Sequence, residues 1–225
     1  CWRSCSRKSG AAGWPGTYLA IWTGQQLSLI GSAIAQFALV WWVTDTTGSA
    51  AVLATATMAA MAPSTLIGPF VGAIVDRYDR RTIMIVADAL VALFSLWLAY
   101  LFWAGTLQIW HVYVIMFART VFGPFPWPAM SASTPMLVPE QHLVRVAGLN
   151  ETMHGVRNLA GPPLGALILS LLPLHWIMGI DVVTAAVAVL TLACVAIPSP
   201  ERRPSALRGT AMLWHDTLEG LRFVR

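Results

Sequence analysis

Six long apolar runs joined by very short polar connections constrain this chain more than any other feature. They cover about 17–44, 49–75, 82–105, 108–130, 147–172 and 175–197. A helix rises ~1.5 Å per residue, so about 20 apolar residues cross a hydrocarbon core ~30 Å thick. Backbone polar groups in lipid must be satisfied internally, which restricts runs of this length to helices. The period-2 alternation of a membrane barrel strand is not visible in them. Composition agrees: 57% of residues are hydrophobic and 11% charged, against about 45–50% and ~25% in soluble domains. The expected fold class is an all-α membrane protein, a six-helix transmembrane bundle.

Charge then orients the bundle. The formal net charge is +4, but its distribution argues against a nucleic-acid partner. Arg3, Arg7 and Lys8 precede the first run, and Arg77, Arg80 and Arg81 follow the second. Arg145 comes just after the fourth, and Arg202, Arg203, Arg208, Arg222 and Arg225 follow the sixth. The alternate connections near 45–48, 105–107 and 173–175 hold no Lys or Arg. This positive-inside pattern predicts both termini in the cytoplasm and a multi-pass membrane protein.

The chain divides into a polar cytoplasmic segment, 1–16, the bundle, 17–197, and a cytoplasmic segment, 198–225. In the last, Trp214, Leu218, Leu221 and Val224 recur at helical spacing. That spacing fits an amphipathic helix on the inner leaflet, with a frayed linker as the competing reading. Cys1, Cys5 and Cys194 have no spacing for a disulfide framework or zinc site. Cys1 follows no lipidation signal, so a truncated or misassigned start is the favoured account of it. No metal or other cofactor is expected.

Polar residues inside the runs are the candidate functional groups. Gln25, Ser28, Ser32 and Gln36 fall on one face of the first helix, and with Arg119 they are candidates for the wall of a substrate cavity. Interhelical hydrogen bonding is the competing role for that face. Arg119 lies near mid-span, where a charge costs about 2.5–3.5 kcal/mol on insertion scales. The acids Glu151 and Asp88, in that order, are its candidate partners in proton coupling. Asp181 is a third intramembrane acid. Snorkelling to an interface is the alternative for all three. Glu151, His154 and Asn158 share a face, but two ligands at that spacing make a weak metal site. Gly161-Pro162-Pro163-Leu164-Gly165 predicts a kink packed closely through its glycines. Gly-x-Ser-x-Gly and H-E-x-x-H are both missing from the sequence, so enzyme chemistry ranks low.

Between the second and third runs lies Gly72-Ala73-Ile74-Val75-Asp76-Arg77-Tyr78-Asp79-Arg80-Arg81. So short a connection forces a helical hairpin with a charged tip. Gly68 and Gly72 form a small-xxx-small pair expected to bring backbones together within the bundle. Asp76 is placed to accept from helix N-terminal amides, and the arginines to anchor the tip.

This stretch resembles the G-x-x-x-D-R-x-G-R-R loop of major facilitator transporters, with Asp79 where Gly is usual. The resemblance extends to Gly24-Gln25-Gln26-Leu27-Ser28-Leu29-Ile30-Gly31-Ser32, to Phe37–Trp42, to Thr47–Ala50, to Val138–Gln141 and to Ala147–Asn150. These segments are similar to the macrolide and multidrug efflux branch. Arg119-x-x-x-Gly123 and Gly161-Pro162-x-x-Gly165 are similar to the fourth- and fifth-helix motifs of antiporter branches, although Arg157 and Ala166 replace glycines of the fuller motif. The resemblance implies one half of a twelve-helix fold, with 198–225 opening the central linker and a second six-helix half as partner. It also implies proton-coupled export of a lipophilic small molecule by alternating access. On the same basis Arg119 serves coupling, and Gly72, Asp76, Arg77, Arg80 and Arg81 form a conformational latch. Siderophore or lysophospholipid transport, or a truncated half-protein without transport activity, are the alternatives.

Overall fold

The apolar runs are largely helical in a computed structural model, which describes residues 14–195. Among them are α1 (Trp14–Thr47), α2 (Ala50–Arg77), α3 (Arg80–Trp103), α4 (Ile109–Phe122), α5 (Pro126–Leu137), α6 (Glu140–Leu171) and α7 (Leu174–Cys194). Of the expected cytoplasmic segments, 1–16 and 198–225, residues 1–13 and the whole of 198–225, the amphipathic tail included, lie outside the described residues, whereas Trp14, Pro15 and Gly16 already belong to α1.

The fourth run, 108–130, is broken at 123–125, inside the Gly123–Pro128 stretch whose prolines predict a helix break. Pro124, Pro126 and Pro128 have no backbone N–H to donate, so α4 ends at Phe122 with Gly123 as its C-cap, and α5 starts afresh with Pro126 in its first turn. The fifth run begins at Glu140 rather than 147, because nothing between Gln141 and Val146 opposes helix. α1, α3, α7 and the Ala50–Gly68 part of α2 are each long and apolar enough to cross a membrane. α4 and α5 are individually too short, and α6 carries Arg145, Glu151 and Arg157 along its length.

Turns at 78–79 and 138–139 mark one end of the bundle, here the basic end; those at 48–49, 104–108 and 172–173 mark the far end. Gly48 (φ 62°) and Gly105 (φ 68°) turn the chain at the far end in the left-handed region that glycine tolerates. α3 and α1 both pack extensively on α7, while α6 lies against α1 and α2 against α4. The apolar core is in two parts. One, built on Leu39, Leu98, Ile115 and Met178, fills the far end; the other, built on Ile21, Val75, Met84 and Leu192, fills the basic end. The exterior is apolar as well, with Leu66, Trp103 and Leu159 exposed. An apolar surface around an apolar interior suits a lipid solvent.

Glycines set the closest helix contacts. A Cβ at Gly24 would lie 2.5 Å from Thr191 Oγ1, and one at Gly31 would overlap Thr184. A Cβ at Gly165 would lie 2.7 Å from the Phe37 ring, and one at Gly161 would touch Ala33 at 3.4 Å. The Gly161–Gly165 stretch therefore holds α6 on α1. α6 continues as one helix through Pro162 and Pro163, both exposed. Gly68 and Gly72 behave differently. Neither has an atom within 4 Å of an added Cβ, so the expected close approach there is not made among the described residues.

Candidate functional site: polar contacts along the first helix

α1 donates hydrogen bonds at three levels, each to an acceptor on a different helix. Nearest the basic end, Trp22 Nε1 (2.6 Å) and Tyr18 OH (3.4 Å) donate to Asn150 Oδ1 of α6. At the middle level, Gln25 Nε2 donates to Asp88 Oδ2 of α3 at 2.8 Å, and Ser28 Oγ to Asp88 Oδ1 at 3.3 Å. Toward the far end, Ser32 Oγ donates to Asp181 Oδ1 of α7 at 2.9 Å. The α1 donors advance by about seven residues per level, two helical turns, so all of them stay on one face.

The outermost level holds the ion pair. Arg119 Nη1 of α4 reaches Asp181 Oδ2 at 2.5 Å, with the two side chains 3% and 0% exposed. Ser95 Oγ of α3 donates to the same carboxylate oxygen at 2.6 Å and is in contact with Arg119 Nη1. Arg119 Nη2 adds a long bond to Ser32 O at 3.4 Å. Four helices therefore meet at one carboxylate. Removing one partner from a buried pair costs about 3–5 kcal/mol, since the other is left charged and dry.

Several expected arrangements are thereby corrected. Arg119 pairs with neither Glu151 nor Asp88. Glu151 is exposed on α6, and Asp88 is engaged by Gln25 and Ser28. Asp181 and Asp88 are 0% and 5% exposed, so neither snorkels. Gln25 and Ser28 are buried between helices, which matches the interhelical reading rather than an open wall. Ser32 and Gln36 are partly exposed. His154 stands 3.3 Å from Asn158 Nδ2 and stacks near Trp127, over which Arg157 also lies at 5.5 Å. Among the described residues no group of three metal-ligating side chains converges.

The hairpin tip is built from inward- and outward-facing parts. Arg80 Nη1 donates to Ala132 O of α5 at 2.6 Å. Arg81 donates through Nε to Leu192 O and through Nη2 to Ala193 O, each at 2.8 Å, at the C-terminal end of α7. A guanidinium there satisfies free carbonyls and complements the helix dipole. Asp79 caps α3, accepting from Thr82 N at 3.0 Å and from Thr82 Oγ1 at 2.7 Å. The capping role expected of Asp76 thus belongs to Asp79, where the resembling loop has Gly. Gly72 and Asp76 are exposed, and Arg77 is half-buried.

Sequence reasoning missed Asn150, Ser95 and the depth of Asp181. A signal was available. Leu174, Ile177, Met178, Asp181, Ala185, Ala188 and Leu192 recur at three- and four-residue steps, which puts Asp181 on the buried stripe of α7. Met84, Asp88, Val91, Ser95 and Leu98 do the same for α3.

Apolar helices enclosing an ion pair and a ladder of polar contacts are the framework of a multi-pass membrane transporter. The chain belongs to the Major Facilitator Superfamily, whose family model matches residues 21–225. It is 38% identical over 194 residues to "Macrolide efflux protein A" of Streptococcus pyogenes, covering 86% of this chain and 48% of that protein. It is 35% identical over 160 residues to the protein of the same name from Enterococcus faecalis, covering 71% and 49%. An "Uncharacterized MFS-type transporter YkuC" of Bacillus subtilis is 24% identical over 155 residues, covering 69% and 35%. The chain spans about half the length of the macrolide efflux relatives it matches.

Proposed function

We propose that this chain is the N-terminal six-span half of an exporter of lipophilic, drug-type small molecules, macrolides foremost, in the bacterial cytoplasmic membrane. Both termini face the cytoplasm, so the basic end is the inner one. The observation that carries the reading is the 38% identity to a protein named for macrolide efflux, sustained over 86% of the chain. Transport proceeds by alternating access against a second six-helix half, with substrate between the halves.

The outer level supports a coupling role for Arg119. Its charge is tied to Asp181 and Ser95, so any motion that separates α4 from α7 must supply that charge with another partner or with water. Ser32 and Gln36, the partly exposed members of the α1 face, remain the proposed cavity wall. Gly72, Asp76 and Arg77 form the outward-facing part of the latch, while Arg80 and Arg81 hold its base to α5 and α7.

Whole-cell accumulation of a labelled macrolide tests the reading. Cells expressing the full-length protein should hold less than cells without it, and a proton uncoupler should remove the difference. Equal accumulation in both strains, at verified expression, overturns the export reading.

A further inference from the structure

We infer that Asp88, held by Gln25 and Ser28, is the residue that takes up and releases the coupling proton, while Asp181 serves the ion pair with Arg119. The transport consequence rests on the export reading above; the assignment of the titrating group stands on geometry. Asp88 is a buried carboxylate 5% exposed, and it accepts from two neutral donors on α1, Gln25 and Ser28. Burying a carboxylate without a cation is expensive, and taking up a proton removes the cost. Asp181 has the opposite constraint. It is the counter-charge of Arg119, and losing that pairing would leave a guanidinium buried and unpaired.

Gln25 makes the middle level suited to both states. Its Nε2 donates to Asp88 Oδ2, while its Oε1 is buried with no partner. Rotating the amide by a half-turn presents Oε1 instead, an acceptor for the hydroxyl of a protonated Asp88. One side chain can therefore bond the carboxylate and the acid, without displacing α1 from α3. The step is a proton transfer alone: a proton from water on one side adds to a carboxylate oxygen of Asp88, and the same proton leaves to water on the other side.

The surroundings contain little else that titrates. α7 contributes Asp181, one level farther along, and α4 contributes Arg119, which is committed to Asp181. α1 contributes Gln25 and Ser28, and α5 carries no ionisable side chain. On α3 itself Arg80 and Arg81 lie two turns away at the basic end, bonded to α5 and α7.

Infrared difference spectra across a pH titration of the full-length protein in lipid test this without any substrate, because they read the carboxylic acid C=O stretch. The parent should show a buried-acid band that titrates with pH. Asp88→Asn should lack it, Asp181→Asn should keep it, and Gln25→Leu should shift its frequency and midpoint. Asp88→Glu should retain a displaced band, which decides the matter if Asp88→Asn does not fold. A band unchanged in both Asp88 variants, or one responding to sodium instead of pH, overturns the assignment. Erythromycin then separates the two proposals. Asp88→Asn should bind it but lose uptake into inside-out vesicles driven by a pH gradient. Failure of the parent to transport it, with the infrared result intact, counts against the export reading alone.

Discussion

Asp88 and Asp181 stand one level apart on neighbouring helices, both taking hydrogen bonds from α1, yet they are stabilised by opposite means. Asp181 has a guanidinium at 2.5 Å and two hydroxyl donors, Ser32 and Ser95. Asp88 has an amide and a hydroxyl. Burial is nearly the same for both, so accessibility does not distinguish them. The difference is whether the charge has a counter-charge. A buried carboxylate paired with a cation joins helices, and losing either partner strands the other; one held by neutral donors alone leaves no counter-charge behind when it is altered.

The largest expected effect tests that contrast directly. Arg119→Ala should destabilise the protein by about 3–5 kcal/mol by leaving Asp181 bare, and the double variant Arg119→Ala/Asp181→Ala should recover much of it. Asp88→Asn should cost about 1 kcal/mol, the net worth of an ordinary hydrogen bond. Unfolding in lipid or detergent, monitored by helix signal, provides both values. Comparable losses for Arg119→Ala and Asp88→Asn would erase the distinction.

The sequence made the helices legible because apolar length is a strong signal, and the short connections made their order along the bundle legible too. The break at 123–125 was also readable from its prolines, although not the fact that α5 continues to Leu137. Partners were less accessible. Arg119 stood out as costly, yet its counter-ion lies 62 positions away in sequence, and only the docking of α4 on α7 through α3 brings them together. Position along a span was a poor guide. Asp181 lies seven residues from the start of α7, about 10 Å deep, but the stripe it belongs to faces protein rather than an interface.

A second contrast concerns glycines on the same fold. Gly24 and Gly31 face Thr191 and Thr184 on α7, each pair seven residues apart, and a Cβ at either meets a threonine. Gly31→Leu should therefore force α1 from α7 and cost about 1–3 kcal/mol by overpacking. The same unfolding measurement checks it. A neutral result would mean that Thr184 can rotate away and that the close approach does not set the α1–α7 spacing.

Gly72 supplies the smallest expected change, and its sign is opposite. Nothing lies within 4 Å of a Cβ there, and the residue is exposed in the interior of α2. Gly72→Ala should leave packing untouched and gain up to ~1 kcal/mol from helix propensity, since Ala loses less backbone entropy than Gly. If the open face of α2 is where a second half approaches in one state, the same methyl group should nevertheless slow the export proposed for the full-length protein. Stability and transport would then move in opposite directions, which a purely structural role for Gly72 cannot produce. Loss of stability would show that α2 packs more closely than its neighbours here allow, and an unchanged transport rate at normal expression would remove Gly72 from the latch while leaving Arg80 and Arg81 as the hairpin's attachment to α5 and α7.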